Sequence, residues 1–302
     1  MQNNQLEIFN FLHNHSHRVN EFAVSTLFPQ MYNNHNNNTQ YWLYSDLAQY
    51  FTEIHAYKNK KNISENLNLD MARVYVPKGF KKPDDNVKFS DMLYRHIEIF
   101  ETNSSGHQND AKITRLACAA ITYMPETIPA HLYFMMPNSD FNEIKNFSHD
   151  VSRIFRRQEL AGVEKHINGI LYSLKIKFEL FSMITNQALF NERSANQLKL
   201  SHNIRINPSD PLSNYMQITS LKARIYSLEQ TIKQYTAYSF MTADKFIDLA
   251  RKNFENARML MIKNYGHTPE QDLTPTHISR IQSRYNQLQR EFIKTYKNES
   301  LR

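Results

Sequence analysis

The sequence predicts an α+β fold that is predominantly α-helical, with a small sheet near the N-terminus and a helical C-terminal domain. Three observations support this prediction. The 302 residues include only five glycines, and sheet-rich folds usually need more glycine for their turns. Strand-like runs cluster between about residues 38 and 110. Beyond about residue 210, apolar residues recur at spacings of three and four, which is typical of amphipathic helices.

The N-terminal part alternates between helix-like and strand-like segments. Apolar spacing within residues 5–28 predicts one or two short helices, and the Asn-rich stretch ending at Asn38 predicts a loop. The aromatic run at residues 40–44 predicts a strand, and residues 96–100 predict another. Residues 1–38 are therefore interpreted as a helical N-terminal extension that precedes a small sheet.

Helical periodicity predicts most of the remaining elements. Asp110 is expected to cap a helix that continues through Ala120. The other predicted helices are a long one from about Phe141 to Gln158, one within Leu212–Tyr235, one capped by Thr242 that stops before Gly266, and a final one from Ile278 to Tyr296.

The last of these helices carries an apolar stripe that needs a partner surface. Its apolar residues are Ile278, Ile281, Tyr285, Leu288, Phe292 and Tyr296. Such a stripe is covered either by the core of the same chain or by another molecule. The sequence leaves both open, so a homodimer through the C-terminal helix is one expectation.

Composition and charge narrow the class of protein. Hydrophobic residues make up 41% of the chain, so a packed core is expected. The formal charge of +7 and the pI of about 9.2 favour polyanionic partners. The single cysteine, Cys118, excludes an intrachain disulfide and fits a reducing compartment. No signal peptide or membrane span is recognisable, so we expect a cytoplasmic protein without membrane contact.

The motifs of common enzymes are missing or incomplete. No glycine-rich phosphate-binding loop or dinucleotide fingerprint occurs. In the triplet His13, His15 and His17, His13 and His17 would share one helix face and could hold a metal, but no cysteine lies nearby, and a solvated polar face is expected instead. Asp84 and Asp85 lack the further acidic residue that a metal nuclease needs. We therefore expect no catalytic residues, no metal and no cofactor.

Two His-x-x-Arg pairs, His202/Arg205 and His277/Arg280, resemble part of the tyrosine recombinase site, and Tyr235 follows the first pair. The remaining arginine context of such a site is missing. A divergent recombinase or nuclease is accordingly kept only as an alternative.

Basic clusters interleaved with aromatic residues point to nucleic-acid binding. Lysine and arginine neutralise phosphates, and aromatic rings stack on bases. One cluster surrounds Phe80 and another surrounds Phe155. The residues predicted to contact nucleic acid are Lys78, Lys81, Lys82, Arg115, Arg153, Arg156 and Arg157.

Four stretches of the chain resemble the DNA-damage-inducible protein D family, whose N-terminal part is similar to the Bro-N domain of phage antirepressors. The first three are Tyr41-Trp42 with Ser45-Asp46-Leu47, Ile113–Cys118, and Arg156-Arg157-Gln158-Glu159-Leu160. The fourth comprises Phe178–Phe181, Leu189–Asn191, Asn214–Thr219, Ala243 and Gly266–Pro275 in the family's order. The resemblance covers about residues 40–290. A glycine-rich segment of the family is replaced by Ile184–Asn191 without glycine, and residues 1–38 and 137–150 also differ.

The resemblance implies a non-catalytic SOS-response regulator that binds single-stranded DNA or RecA filaments on it. It also implies a Bro-N-like α+β domain at residues 39–160 and a helical domain at 161–302. Trp42, Arg115, Arg156 and Arg157 become candidate functional residues by this resemblance. An alternative function is that of a prophage-type antirepressor, which binds another protein and leaves DNA alone.

Overall fold

The computed structural model describes residues 31–34, 39–43, 97–102, 108–122, 128–139, 141–207, 209–238 and 241–296. Within these ranges the chain is mostly α-helical, with one small antiparallel sheet near the N-terminal end. The α+β, predominantly helical fold class predicted from the sequence is confirmed.

The sheet has four strands: β1 (Met31–Asn34), β2 (Thr39–Leu43), β3 (Ile97–Thr102) and β4 (Gln108–Ile113). Their order is β1-β2-β4-β3, and all neighbours are antiparallel. Strands β2 and β3 confirm the two strands expected from the sequence. The loop predicted for the Asn-rich stretch is wrong at Asn33 and Asn34, which lie in β1 and pair with Gln40 and Thr39. The rest of the predicted extension at residues 1–38, apart from β1, lies outside the described residues.

The predicted cap at Asp110 is wrong as well. Asp110 lies within β4 and is paired with Phe100 of β3. The helix α1 begins at Arg115 and ends at Ile121. Its cap is Thr114, whose hydroxyl oxygen accepts a hydrogen bond from the backbone N–H of Ala117 at 3.4 Å. The pairing of β4 with β2 and β3 therefore outweighs the tendency of Asp110 to cap a helix.

The other helices are α2 (Ile128–Met135), α3 (Phe141–Ser173), α4 (Phe178–Leu189), α5 (Ala195–Ser201), α6 (Ile218–Ala237), α7 (Ala243–Tyr265) and α8 (Ile278–Tyr296). Helices α3, α6, α7 and α8 match helices predicted from the periodicity, whereas α2, α4 and α5 were not predicted. Thr242 caps α7, and Gly266 ends it in the left-handed conformation, as expected. The long helix α3 extends well beyond Gln158, and the segment that starts at Leu212 is a short 3-10 turn before α6.

The described residues fall into two units. One consists of residues 149–282, and the other combines the described residues up to 148 with residues 283–296. Helix α3 runs without interruption through position 160, where the sequence placed a domain boundary. In the first unit, α4, α6 and α7 pack together around a core that includes the stacked rings of Phe181 and Phe246.

Most of the described apolar stripe of α8 is covered by the chain itself. Ile281, Tyr285 and Phe292 are buried, and Ile278 and Leu288 are half-buried. The structure thus favours core packing for these residues, and covering them requires no second copy. No helix among the described residues is long and apolar enough to cross a membrane.

A buried tyrosine–histidine pair joins α8 to α2 in the second unit. The ring of His131 donates from Nδ1 to the carbonyl oxygen of Ala119 at 2.6 Å. Its Nε2 then accepts from the hydroxyl of Tyr285 at 2.8 Å. Burial lowers the pKa of His131 to about 4, although the bond to Ala119 acts in the opposite direction. His131 is therefore neutral in the folded protein at neutral pH.

This histidine should make the second unit sensitive to acid. The pKa of His131 is about 4 in the folded chain, whereas an unburied histidine has a pKa of 6.5. Between pH 4 and pH 6.5, His131 is therefore protonated in the unfolded chain and neutral in the folded chain. The free energy of unfolding should therefore fall by about 3 kcal/mol as the pH is lowered from about 6.5 to about 4.

The measurement is denaturant unfolding at a series of pH values, followed by the fluorescence of the sole tryptophan, Trp42, in the same unit. His131→Gln should flatten the pH dependence in this window. His166→Gln changes an exposed histidine and should leave it unaltered. Equal slopes for wild type and His131→Gln would contradict the assignment.

Candidate nucleic-acid interface

Two of the candidate functional residues, Trp42 and Arg115, lie against each other in the interior. Trp42 on β2 is opposite Ile113 of β4, and its ring meets the ring of Phe134 edge-to-face at 5.4 Å. The guanidinium of Arg115 lies 4.8 Å from the centre of the Trp42 ring and donates to the carbonyl oxygen of Phe134 at 3.3 Å. Arg115 is buried, so the prediction that it contacts nucleic acid is wrong for this structure.

Arg153 is also an internal residue. Its side chain is fully buried, at 0% relative exposure. The Nε atom donates to the carbonyl oxygen of Met216, and Nη2 donates to that of Thr276, both at 3.1 Å. Asp150 lies 3.7 Å from Nη1. The prediction that Arg153 belongs to an exposed basic face is therefore wrong, because its donors are used by backbone carbonyls from distant segments.

Arg156 and Arg157 retain some access to solvent but are paired. Their side chains are 14% and 21% exposed. Arg156 forms an ion pair of 2.6 Å with Glu159. Arg157 donates to Oδ1 of Asn214 at 3.1 Å and pairs with Glu164 at 3.4 Å. Their charges are thus largely compensated by neighbours, which weakens their case as phosphate contacts. Lys78, Lys81 and Lys82 lie outside the described residues.

The polar network continues from Asn214 to Asp210. The carboxylate of Asp210 accepts hydrogen bonds from Asn214, Tyr215 and His277. Partial burial raises the pKa of Asp210, but these hydrogen bonds outweigh it and hold the pKa below its usual value. His277, one of the recombinase-like residues, is therefore engaged with a carboxylate. Tyr235, the candidate nucleophile, packs its ring against Phe246 at 5.3 Å.

Lys222 on α6 is a buried cation of a different kind. It is 2% exposed, and its Nζ has no hydrogen-bond partner among the described residues. Burial and the neighbouring charge of Arg156 lower its pKa to about 7, with Glu159 opposing them. Burial therefore makes Lys222 far easier to deprotonate near neutral pH than an exposed lysine.

Other candidate chemical groups have simpler explanations. Cys118 is buried, and burial raises the pKa of its thiol. Within the part of the chain that the structure describes, no group of three His, Cys, Asp or Glu side chains is arranged to hold a metal ion. The triplet His13, His15 and His17 lies outside that part.

A cavity of about 280 Å³ lies in the second unit, at the start of α3. Its floor includes Met136, Phe147 and Leu288. At its rim, the guanidinium of Arg284 lies 4.3 Å from the centre of the Phe147 ring and 3.5 Å from Glu143. Since a carboxylate already faces its cation, this cavity is a weak candidate for binding phosphate.

One group of exposed basic residues in the first unit lies where α3 ends and α4 begins. We call this region the α3–α4 corner and define it by Lys165, Tyr172, Lys175 and Lys177, all of them exposed. Sequence reasoning overlooked it because these lysines are spread out rather than clustered. One signal was available, since residues 165–178 contain no Asp or Glu.

Comparisons of the chain with protein-family models, with curated proteins and with solved structures gave no match.

We expect Arg153 to be a stability determinant. Arg153→Met should lower the free energy of unfolding by roughly 3 kcal/mol or more, because two buried carbonyls lose their donor at about 1–3 kcal/mol each. Thermal and denaturant unfolding followed by circular dichroism would measure it. Arg251→Met alters an exposed arginine of α7 and should change stability by less than about 0.5 kcal/mol. Similar effects for the two variants would contradict the internal role.

Replacing Lys222 should change the free energy of unfolding in the opposite direction to replacing Arg153. Lys222→Met should raise the free energy of unfolding at pH 7 by about 1–4 kcal/mol, because an unpaired buried cation is replaced by an apolar side chain of similar length. The wild-type protein should gain stability between about pH 7 and pH 10.5, the pKa values of the buried and the free side chain. The variant should lack this gain. A variant less stable than wild type would refute the interpretation.

Proposed function

We propose that this chain is a non-catalytic regulator of the DNA-damage-inducible protein D type, which binds single-stranded DNA or RecA filaments assembled on it. The proposal includes a role in the SOS response and leaves Lys78, Lys81 and Lys82 as candidate phosphate contacts. It combines the resemblance of four sequence stretches with the contacts that these stretches make.

The contacts between the resembling stretches are the observation that carries the proposal. Arg157, from the Arg-Arg-Gln-Glu-Leu stretch, is bonded to Asn214, the first residue of Asn214–Thr219. The backbone of Gln217 in the same stretch donates to the carbonyl oxygen of Asp272 within Gly266–Pro275, at 2.9 Å. Residues that match the family far apart in sequence therefore support one another in space. Such mutual contacts are expected if the chain shares the family's fold.

Charge supports a polyanionic partner. The chain carries a net charge of +7. A protein that neutralises several phosphates releases counterions, so its affinity for DNA falls steeply with salt. This argument applies equally to free single strands and to strands within a RecA filament.

The prophage-type antirepressor remains the alternative. Leu180 and Met183 of α4 are exposed apolar side chains near the α3–α4 corner. Exposed apolar groups are a feature of protein-docking surfaces. The two functions differ in whether the purified protein binds DNA without a protein partner.

We expect the purified chain to bind a fluorescently labelled single-stranded oligonucleotide in the absence of competitor DNA. The affinity should drop by orders of magnitude from low to moderate salt. Fluorescence anisotropy over a salt series measures this. RecA should be enriched with the tagged chain from DNA-damaged cells compared with undamaged cells. No binding to the oligonucleotide, together with no RecA enrichment, would reject the proposal in favour of the antirepressor. Binding without salt dependence would contradict contacts to phosphates.

Two controls accompany this test. Nuclease treatment of the lysate separates direct capture of RecA from capture through DNA. Incubation of the same protein with supercoiled and single-stranded DNA, in magnesium or manganese, should leave both intact. Nicking that is lost in Tyr235→Phe would point to the recombinase alternative instead.

A further inference from the structure

Tyr172 projects from the end of α3 into solvent. It is 87% exposed, the highest value among the exposed large hydrophobic side chains of the described residues. Its neighbours on the helix surface are small or polar, and a side chain placed at Gly169 would meet no atom within 4 Å. The face around the ring is therefore open. An aromatic ring in such a position is accessible for stacking on both sides.

Three lysines lie near Tyr172 in the sequence, and residues 165–178, which contain them, include no Asp or Glu. Lys165 lies on α3, and Lys175 and Lys177 lie in the turn that leads to α4. All three are exposed, and their ammonium groups have no hydrogen-bond or ion-pair partner among the described residues. Arg156 and Arg157, by contrast, are already paired with carboxylates. The free positive charge of this part of α3 is thus concentrated at the corner.

Lys175 has a left-handed backbone conformation, as do Asn191, Glu192 and Asn203 elsewhere among the described residues. Helix α3 ends in a Schellman motif, in which Ile176 N–H donates to Leu171 at 2.9 Å and Lys175 N–H donates to Tyr172 at 3.2 Å. The motif requires a left-handed residue, and Lys175 has a φ of +57°. Glycine is the residue that adopts this conformation without strain. The same chain uses Gly266, with a φ of +69°, at the end of α7.

A strained residue that glycine would replace with a gain in stability invites a functional explanation. Lysine contributes a charged group at the corner that glycine lacks. Its backbone strain is tolerated beside an exposed aromatic ring and two further lysines. Charge and ring together form the combination that binds unpaired nucleic-acid strands, with cations on the phosphates and rings on the bases.

We propose that the α3–α4 corner is the contact site for single-stranded DNA, with Tyr172 stacking on an unpaired base while Lys165, Lys175 and Lys177 neutralise phosphates. The proposal rests on the proposed function and adds to it a location and a preference for unpaired strands. In duplex DNA the bases are stacked on each other, so a protruding tyrosine gains nothing from them. Lysines act as point charges and carry no base-reading geometry, so binding should tolerate any sequence.

The decisive variant is Lys175→Gly, because its effects on stability and on binding should have opposite signs. Relief of backbone strain should raise the unfolding midpoint by about 2–4 °C. Loss of one phosphate contact should weaken binding to single-stranded DNA and reduce the slope of log affinity against log salt by about 0.7. Weaker binding by a more stable protein cannot be attributed to unfolding.

Two further variants test the ring and the remaining charges. Tyr172→Ala should weaken binding to a single-stranded oligothymidine by about tenfold or more, whereas Tyr172→Phe should retain most of the affinity. The triple variant Lys165→Ala, Lys175→Gly, Lys177→Ala should reduce the salt slope by about 2. Its matched control removes the same charge at exposed residues outside the corner, through Arg193→Ala, Arg205→Ala and Lys263→Ala.

Anisotropy with full-length protein, on a single-stranded oligothymidine and on a duplex of equal length, distinguishes the outcomes. A loss confined to the corner variants and to the single strand supports the proposal. If wild type binds the single strand and the corner variants match their control, the corner is not the contact site, although the proposed function stands. An equal loss on duplex DNA rejects stacking by Tyr172. Failure of wild type to bind either DNA overturns the DNA-binding part of the proposed function and this site with it.

Discussion

The packing of the first unit, residues 149–282, depends on the buried guanidinium of Arg153. Arg153 brings no buried carboxylate with it, because Asp150 is half-exposed and 3.7 Å away. Nε and Nη2 donate instead to the carbonyl oxygens of Met216 and Thr276, whereas Nη1 lies near Asp150 without a hydrogen bond. This fixes two loops against α3, and the paired loops position Asp272, whose Oδ2 accepts the backbone N–H of Ser220 at 2.7 Å in the first turn of α6. An unpaired buried charge costs several kcal/mol, so the loops and the start of α6 are obliged to form around the arginine.

The contrast between Arg153 and Lys222 shows why the type of cation matters. A guanidinium is planar, offers five donors and is weakly hydrated, so several carbonyls can satisfy it in the interior. An ammonium is compact and strongly hydrated, and it responds to burial by losing its proton. Lys222 follows this rule, since burial lowers its pKa to about 7. Among the buried cations of the first unit, Arg153 thus organises its surroundings, whereas Lys222 destabilises them at neutral pH.

The sequence predicted the helices well and the role of the arginines poorly, for a physical reason. Helix ends are decided locally, by a cap such as Thr242 or a left-handed residue such as Gly266. The fate of Arg153 is decided by carbonyls that are distant in sequence, which periodicity does not reveal. One local sign was present, because Leu160, seven residues later on α3, shares its helix face and is fully buried. The prediction that Asp110 caps a helix was wrong for the same reason, because its partner in β3 lies elsewhere in the chain.

The buried or paired arginines and the lysines of the α3–α4 corner consequently have different roles. Arg115, Arg153 and Arg157 are engaged with internal carbonyls, amides or carboxylates, whereas the lysines of the α3–α4 corner have no partner among the described residues. At the proposed site, the charge available to a polyanion is carried by lysine. Lysine neutralises phosphates without reading base edges, whereas specific base contacts typically use the bidentate fork of arginine. A site built from lysines and one exposed tyrosine is therefore suited to recognise that a strand is unpaired, and not which sequence it has.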